Sequence, residues 1–224
     1  MPKFEQILEN YKTDYLKYGF IKEEVSFGII FYEHNSIAEQ EIEDIVEMYE
    51  QAYVKVVKFF ESHANTEPIY IYIYNSFESK ENLMGNDWIA QTLYNQREIH
   101  HVYTEDVKPI GAHELTHLIS LNLGLSVPLF QEGIAEYLQG SDWYGRPHSE
   151  TLKECAHVFT VDEFLTLDAW LTIPDELALY SYCFLAEFMR VFLSNHPKEV
   201  FFEIYRKLSR SNAIEDNLKV LTEY

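Results

Sequence analysis

The chain has 224 residues, 47% of them hydrophobic, enough for one globular domain with a sizeable core or for one catalytic domain with a small front subdomain. Its 37 acidic residues outnumber 17 basic ones, giving a formal net charge of −20. Such a surface repels phosphate backbones and anionic lipid, so neither nucleic acid nor a membrane is an expected partner.

The two cysteines, Cys155 and Cys183, sit in apolar, helical-looking sequence and read as buried free thiols. The first ten residues hold no apolar signal core. No run reads as long and apolar enough to span a membrane. The expectation is a soluble, cytoplasmic protein.

Taken in order, Phe4, Ile7, Leu8, Tyr11, Tyr15 and Leu16 recur at helical spacing and predict a helix over 4–19. Residues 25–32 are rich in strand formers. Asn35 or Ser36 can cap a helix running to about His63, with Ile42, Ile45, Tyr49, Tyr53, Val56 and Phe60 along one side. Pro68 opens a second strand, Ile-Tyr-Ile-Tyr-Ile-Tyr over 69–74. Strand, long helix and strand predict a small mixed sheet packed on a helix. Residues 76–87 read as a polar connection, followed by short strands at 88–93 and 98–103. His100 and His101 on the last strand point to opposite faces. Helices are expected at 108–123, from Pro128, and at 149–159, 161–167, 175–194, 198–209 and 213–224, with 140–147 a loop by its Gly and Pro content. The fold class is therefore α+β: a sheet-bearing front half, about 1–106, and a mostly helical half, about 107–224.

Chemistry concentrates in His113-Glu114-Leu115-Thr116-His117. Histidines four apart share one helix face, so both imidazoles can reach a single metal ion, while Glu114 is placed to act on a water. Leu115, Leu118 and Ile119 supply an apolar side. Catalytic zinc usually takes three protein ligands and a water. Downstream, Pro-Leu-Phe-Gln-Glu-Gly-Ile-Ala-Glu-Tyr-Leu (128–138) puts Glu132 and Glu136 on one face, one turn apart. Either can be the third ligand, leaving the other to orient a ligand imidazole.

The two motifs, His-Glu-Leu-Thr-His and Glu-Gly-Ile-Ala, resemble the gluzincin metallopeptidases, in particular small peptidase-MA-like proteins and, more distantly, aminopeptidase-N-like enzymes. The resemblance runs from about Leu93 to Leu193. It implies a zincin-like fold and one Zn²⁺ held by His113, His117 and Glu132, with Glu114 as general base. The aminopeptidase spacing, eighteen residues between the second histidine and the ligand glutamate, falls instead on Glu136, whereas only fourteen separate His117 from Glu132. Loops change length more easily than helices change register, which favours Glu132, with Glu136 the runner-up ligand. The segment around Ala186-Glu187-Phe188 is similar to the one that carries an oxyanion-stabilising tyrosine in these enzymes. It points to Tyr182, with Tyr180 as the alternative. In this clan the strand just before the zinc helix is the edge that pairs with an extended peptide, here 98–103. A Gly-Ala-Met-Glu-Asn type motif, which grips the substrate amine in aminopeptidases, is missing from the sequence.

The expected activity is zinc-dependent hydrolysis of a peptide or protein substrate, by an endopeptidase. The alternatives are a peptidase-like module that binds peptide without turnover, and an aminopeptidase.

Overall fold

A computed structural model describes residues 19–224, so the helix expected over 4–19 lies outside the described residues. Cα packing divides the described chain into two compact units, 19–59 with 65–118, and 60–64 with 119–224.

The first unit holds a five-stranded mixed sheet. Strands β1 (Phe20–Val25) and β2 (Gly28–Glu33) form an antiparallel hairpin. Ser36 then caps a single helical turn, α1 (Ile37–Gln40), by accepting a bond from the Glu39 amide. After a break at Glu41 comes the long helix α2 (Ile42–Phe60). Strand β3 (Ile69–Tyr74), helix α3 (Phe77–Met84), strands β4 (Ala90–Leu93) and β5 (Glu98–Val102), and helix α4 (His113–Ile119) follow. The strand order is β1-β2-β3-β5-β4, with β2, β3 and β5 parallel and the outer strands antiparallel to their neighbours.

Alternation along β3 sorts the core. Tyr72 and Tyr74 pack with Phe20, Phe31 and Met84 on one face. There Tyr72 stacks on Phe31 and on His100, both at 4.8 Å between ring centroids. On the opposite face of β5, His101 lies 6.0 Å from the Tyr49 ring of α2. The helix stripe read from the sequence is correct at its centre, since Ile45, Tyr49, Val56 and Phe60 are fully buried.

The expected strand over 25–32 in fact spans a turn. Residues 26–27 reverse the chain, and a strand precedes them. Gly28 is required at the start of β2, because a Cβ there would sit 1.8 Å from the Ile69 carbonyl oxygen of β3. Gly28→Ala is expected to cost about 3 kcal/mol, read as a lower urea midpoint.

Two further expectations are corrected. Residues 77–84 are helical rather than a polar connection. Ser76 accepts from the Ser79 amide at one end, and Gly85 closes the other in the left-handed region, φ 72°. Strand 98–103 is not the sheet edge: β5 lies between β3 and β4, and β4 is the edge. The turn over 94–97, with Arg97 at φ 55°, folds β4 back along the outside of β5. Arg97 fixes that turn by donating to the carbonyls of Glu67 (2.7 Å), Pro68 (3.1 Å) and Leu118 (3.3 Å). As an interior strand, β5 is buried at every residue, so neither His100 nor His101 reaches the surface. His100 is bonded to Tyr74 Oη at 2.9 Å, with Glu98 Oε2 at 3.4 Å from its other nitrogen.

The second unit is helical: α5 (Pro128–Gln139), α6 (His148–Leu152), α7 (Leu167–Trp170), α8 (Ala178–Asn195), α9 (Lys198–Lys207) and α10 (Ile214–Thr222), with short 3₁₀ turns between. The helix expected over 149–159 stops at Leu152, and that over 161–167 is a 3₁₀ turn, Val161–Phe164, followed by α7. Helix α8 packs chiefly on α5, where a Cβ on Gly133 would come 3.1 Å from the Leu185 carbonyl. Cys183 is buried on α8 and Cys155 half-buried beyond α6, both free thiols. Where the sequence reading expected none, the stretch Asp175–Asn195, which takes in α8 and the 3₁₀ turn before it, is by length and composition alone apolar enough to cross a membrane, a test that the core helix of a soluble protein also passes.

Candidate metal centre

The chain enters α4 through an irregular segment, 103–112, so the helix starts at His113 rather than at Lys108. Pro109 and Gly111 keep the lead-in from being helical. The segment is tied down at Glu41, which accepts from Tyr103 Oη at 2.5 Å and from Lys108 Nζ at 2.6 and 2.7 Å. These bonds, that of Lys108 first, hold the Glu41 carboxyl below the usual carboxylate range. Thr116 locks the first turn, its amide and hydroxyl both donating to the Ala112 carbonyl, at 2.9 and 2.7 Å. Leu115, Leu118 and Ile119 face the core and are fully buried.

That leaves His113 and His117 one above the other. Their Nε2 atoms face each other at 3.1 Å, with the rings nearly perpendicular (83°). Two nitrogens on one tetrahedral zinc at the usual bond length lie about 3.3 Å apart, so the pair fits a shared ion. The Tyr94 ring meets His117 edge-on at 6.2 Å.

Helix α5 starts at Pro128 and buries nearly all of its length, Glu132 and Glu136 included. The ligand atoms offered by His113, His117 and Glu132 lie within 4.8 Å of one another, the spacing of a group that can hold a metal ion. Glu136 is not in that group. Its carboxylate lies 3.1 Å from His148 Nε2, and both side chains are buried. Nearby, burial pushes the Cys183 thiol up to about 12, and the charges of Glu136 and Asp142 add to the shift.

Glu114 is half-buried, and its Oε2 accepts a short hydrogen bond from the Thr92 hydroxyl. Thr92 lies on β4, so the carboxylate next to the imidazole pair is tethered to the sheet edge. Across β4, Gln91 accepts from Asn86 Nδ2 at 3.0 Å, and Asn86 Oδ1 accepts from the buried Lys80 at 2.7 Å. Burial lowers the Lys80 ammonium to about 8.

His101 also feels the charge of Glu114, but burial dominates and lowers its imidazole to about 4. A histidine neutral when folded and basic when unfolded binds fewer protons in the native state. Stability is then complete above pH 6.5 and drains away as pH falls towards 4. The loss is about 3 kcal/mol over that window. Measured as the difference between wild type and His101→Phe, it is expected to vanish above pH 7.

Tyr180 and Tyr182 are both half-buried on α8. Tyr182 lies between Trp143 and Trp170, each 5.7 Å away between ring centroids. Trp143 belongs to the 140–147 loop, which is wound around Asp142. That carboxylate accepts from the amides of Tyr144 and Arg146, from the Arg146 guanidinium and from the Thr151 hydroxyl.

Sequence reasoning missed Thr92, Lys80 and His148. Thr92 and His148 carry no local signal, because their partners are 22 and 12 residues away. Lys80 sits at an apolar position of the unrecognised helix α3, whose Ser and Gly caps were the available clue. No known family model matches the chain, and no curated protein matches it.

Proposed function

We propose that the chain is a zinc-dependent peptide-bond hydrolase of the gluzincin type, with a zincin-like fold. The observation that carries this reading is the convergence of ligand atoms from His113, His117 and Glu132 beside Glu114. When bound, zinc supplies a Lewis acid and brings the pKa of a water it holds to about 7.

The chain's residues do the rest. Glu114, with Oε2 held by Thr92, keeps its other oxygen for the proton of the attacking water and returns that proton to the leaving amine. Tyr182, or Tyr180 in its place, donates a hydrogen bond to the developing oxyanion. An extended substrate adds to the outer edge of β4 through main-chain hydrogen bonds. Trp88 and Ile89, exposed at the head of that strand, offer it apolar contact.

An endopeptidase is favoured over an aminopeptidase. The stretch closest to an amine-gripping motif, Gly85-Asn86-Asp87, has Asn86 committed to Lys80 and Gln91.

Elemental analysis of purified protein, followed by mass-spectrometric mapping of a mixed peptide pool, tests the proposal. One zinc per chain and internal cleavages are expected. A metal-free protein overturns the reading. Zinc without cleavage of any peptide replaces it with a peptide-binding module, and stepwise N-terminal loss replaces it with an aminopeptidase.

A further inference from the structure

Arg210 lies between α9 and α10, 78 residues beyond Glu132 in sequence, and its guanidinium nevertheless reaches α5. Arg210 Nε donates to the Ser126 carbonyl at 2.8 Å, two residues before α5 begins. A terminal nitrogen, Nη2, stands 3.7 Å from Glu132 Oε1. One side chain thus grips both the start of the helix and the carboxylate on its second turn.

The loop that carries Arg210 is itself fixed. The fully buried Asn217 of α10 accepts from the Ser209 amide at 3.2 Å and donates to the carbonyls of Ser209 (2.9 Å) and Leu165 (2.8 Å). Tyr205 of α9 belongs to the same neighbourhood. Its hydroxyl lies 3.5 Å from Ser120 Oγ, and burial pushes it up to about 12, with the Glu132 charge adding and Arg210 opposing.

We propose that Arg210 is the positioning residue for the third metal ligand: it engages Glu132 Oε1, and so presents the other carboxylate oxygen to the ion. This inference rests on the zinc reading above. A planar guanidinium suits the task because its nitrogens diverge in a fixed fork, Nε donating to the Ser126 carbonyl and Nη2 at ion-pair distance from Glu132. Partners that orient a ligand contribute about 10- to 100-fold to metal affinity. The sign is diagnostic. Deleting a positive charge near a dication would by itself tighten binding, whereas loss of ligand orientation weakens it.

The test is competition of the full-length chain with a fluorescent chelator for zinc ion alone, a readout independent of activity. Arg210→Gln retains an amide donor for the Ser126 carbonyl but no charge for Glu132. It is expected to weaken zinc binding about 10- to 100-fold, with the melting temperature of the metal-free protein close to wild type. Arg210→Lys, which restores charge without the fork, is expected to recover part of the loss. Should Arg210→Gln not fold, Arg210→Lys decides by the same measure, with weakened zinc binding expected. Wild-type or tighter affinity in the deciding variant overturns the inference and leaves the zinc reading intact. Failure of the wild type to bind zinc overturns both.

Discussion

Glu114→Gln is expected to lower kcat for peptide cleavage by about 100- to 10,000-fold, the usual contribution of a general base, while zinc stays bound. The substitution keeps the size and planarity of the side chain and can still meet the Thr92 hydroxyl, so folding is preserved. What it removes is the ability to take and return a proton. Thr92→Val makes a graded companion. A hydrogen bond to a charged group contributes about 1.5–3 kcal/mol, so releasing Oε2 should slow turnover about 10- to 100-fold. Parallel kcat and zinc measurements on the two variants check both statements. Undiminished turnover in Glu114→Gln would remove the base from the mechanism.

Zinc is expected to raise the stability of the native chain, and the ligand variants to abolish that gain. At free zinc 100 times its Kd, binding to the folded state alone contributes about 2.7 kcal/mol, an upward shift of about 5–10 °C in Tm for a chain of this size. A chelator should return the metal-free value. His117→Ala and Glu132→Gln should each cancel most of the shift. Glu136→Gln should keep most of it, because that carboxylate is bonded to His148 rather than grouped with the imidazoles. Thermal melts with and without zinc for the four proteins decide between the two carboxylates. A shift that survives Glu132→Gln and disappears in Glu136→Gln would exchange their roles.

The zinc-stability experiment also separates the metal from the background acid sensitivity of the first unit. Protonation of His101 is expected to destabilise the metal-free fold as pH falls from 6.5 towards 4. Melts are therefore best compared above pH 7, where that contribution is absent.

Part of this protein is legible from residues alone. Spacing along a helix put His113 and His117 on one face, because a turn of helix is the same in any fold. Pro128 at the first turn of α5 and Ser36, one of two candidate caps, are local chemistry and both stand where the sequence placed them, although Ser36 caps the single turn α1 rather than the long helix. The Ile/Tyr alternation of β3 marked a strand for the same reason. Helix α3 is equally local, but its caps enclose a polar, weakly amphipathic stretch whose helical period is faint.

Tertiary structure decided what no local period encodes. Strand β5 is interior because the turn at Arg97 lays β4 outside it, and that turn is held by carbonyls of residues 67, 68 and 118. Glu132 and Glu136 occupy the same helix face one turn apart, so periodicity treats them alike. Only the path of the chain around α5 leaves one beside Arg210 and the other beside His148. Thr92 on Glu114 and Arg210 on Glu132 join residues 22 and 78 apart in sequence. A turn or a cap is determined by neighbours within a few bonds. A partner from a distant segment is set by how buried elements pack, a property of the whole chain.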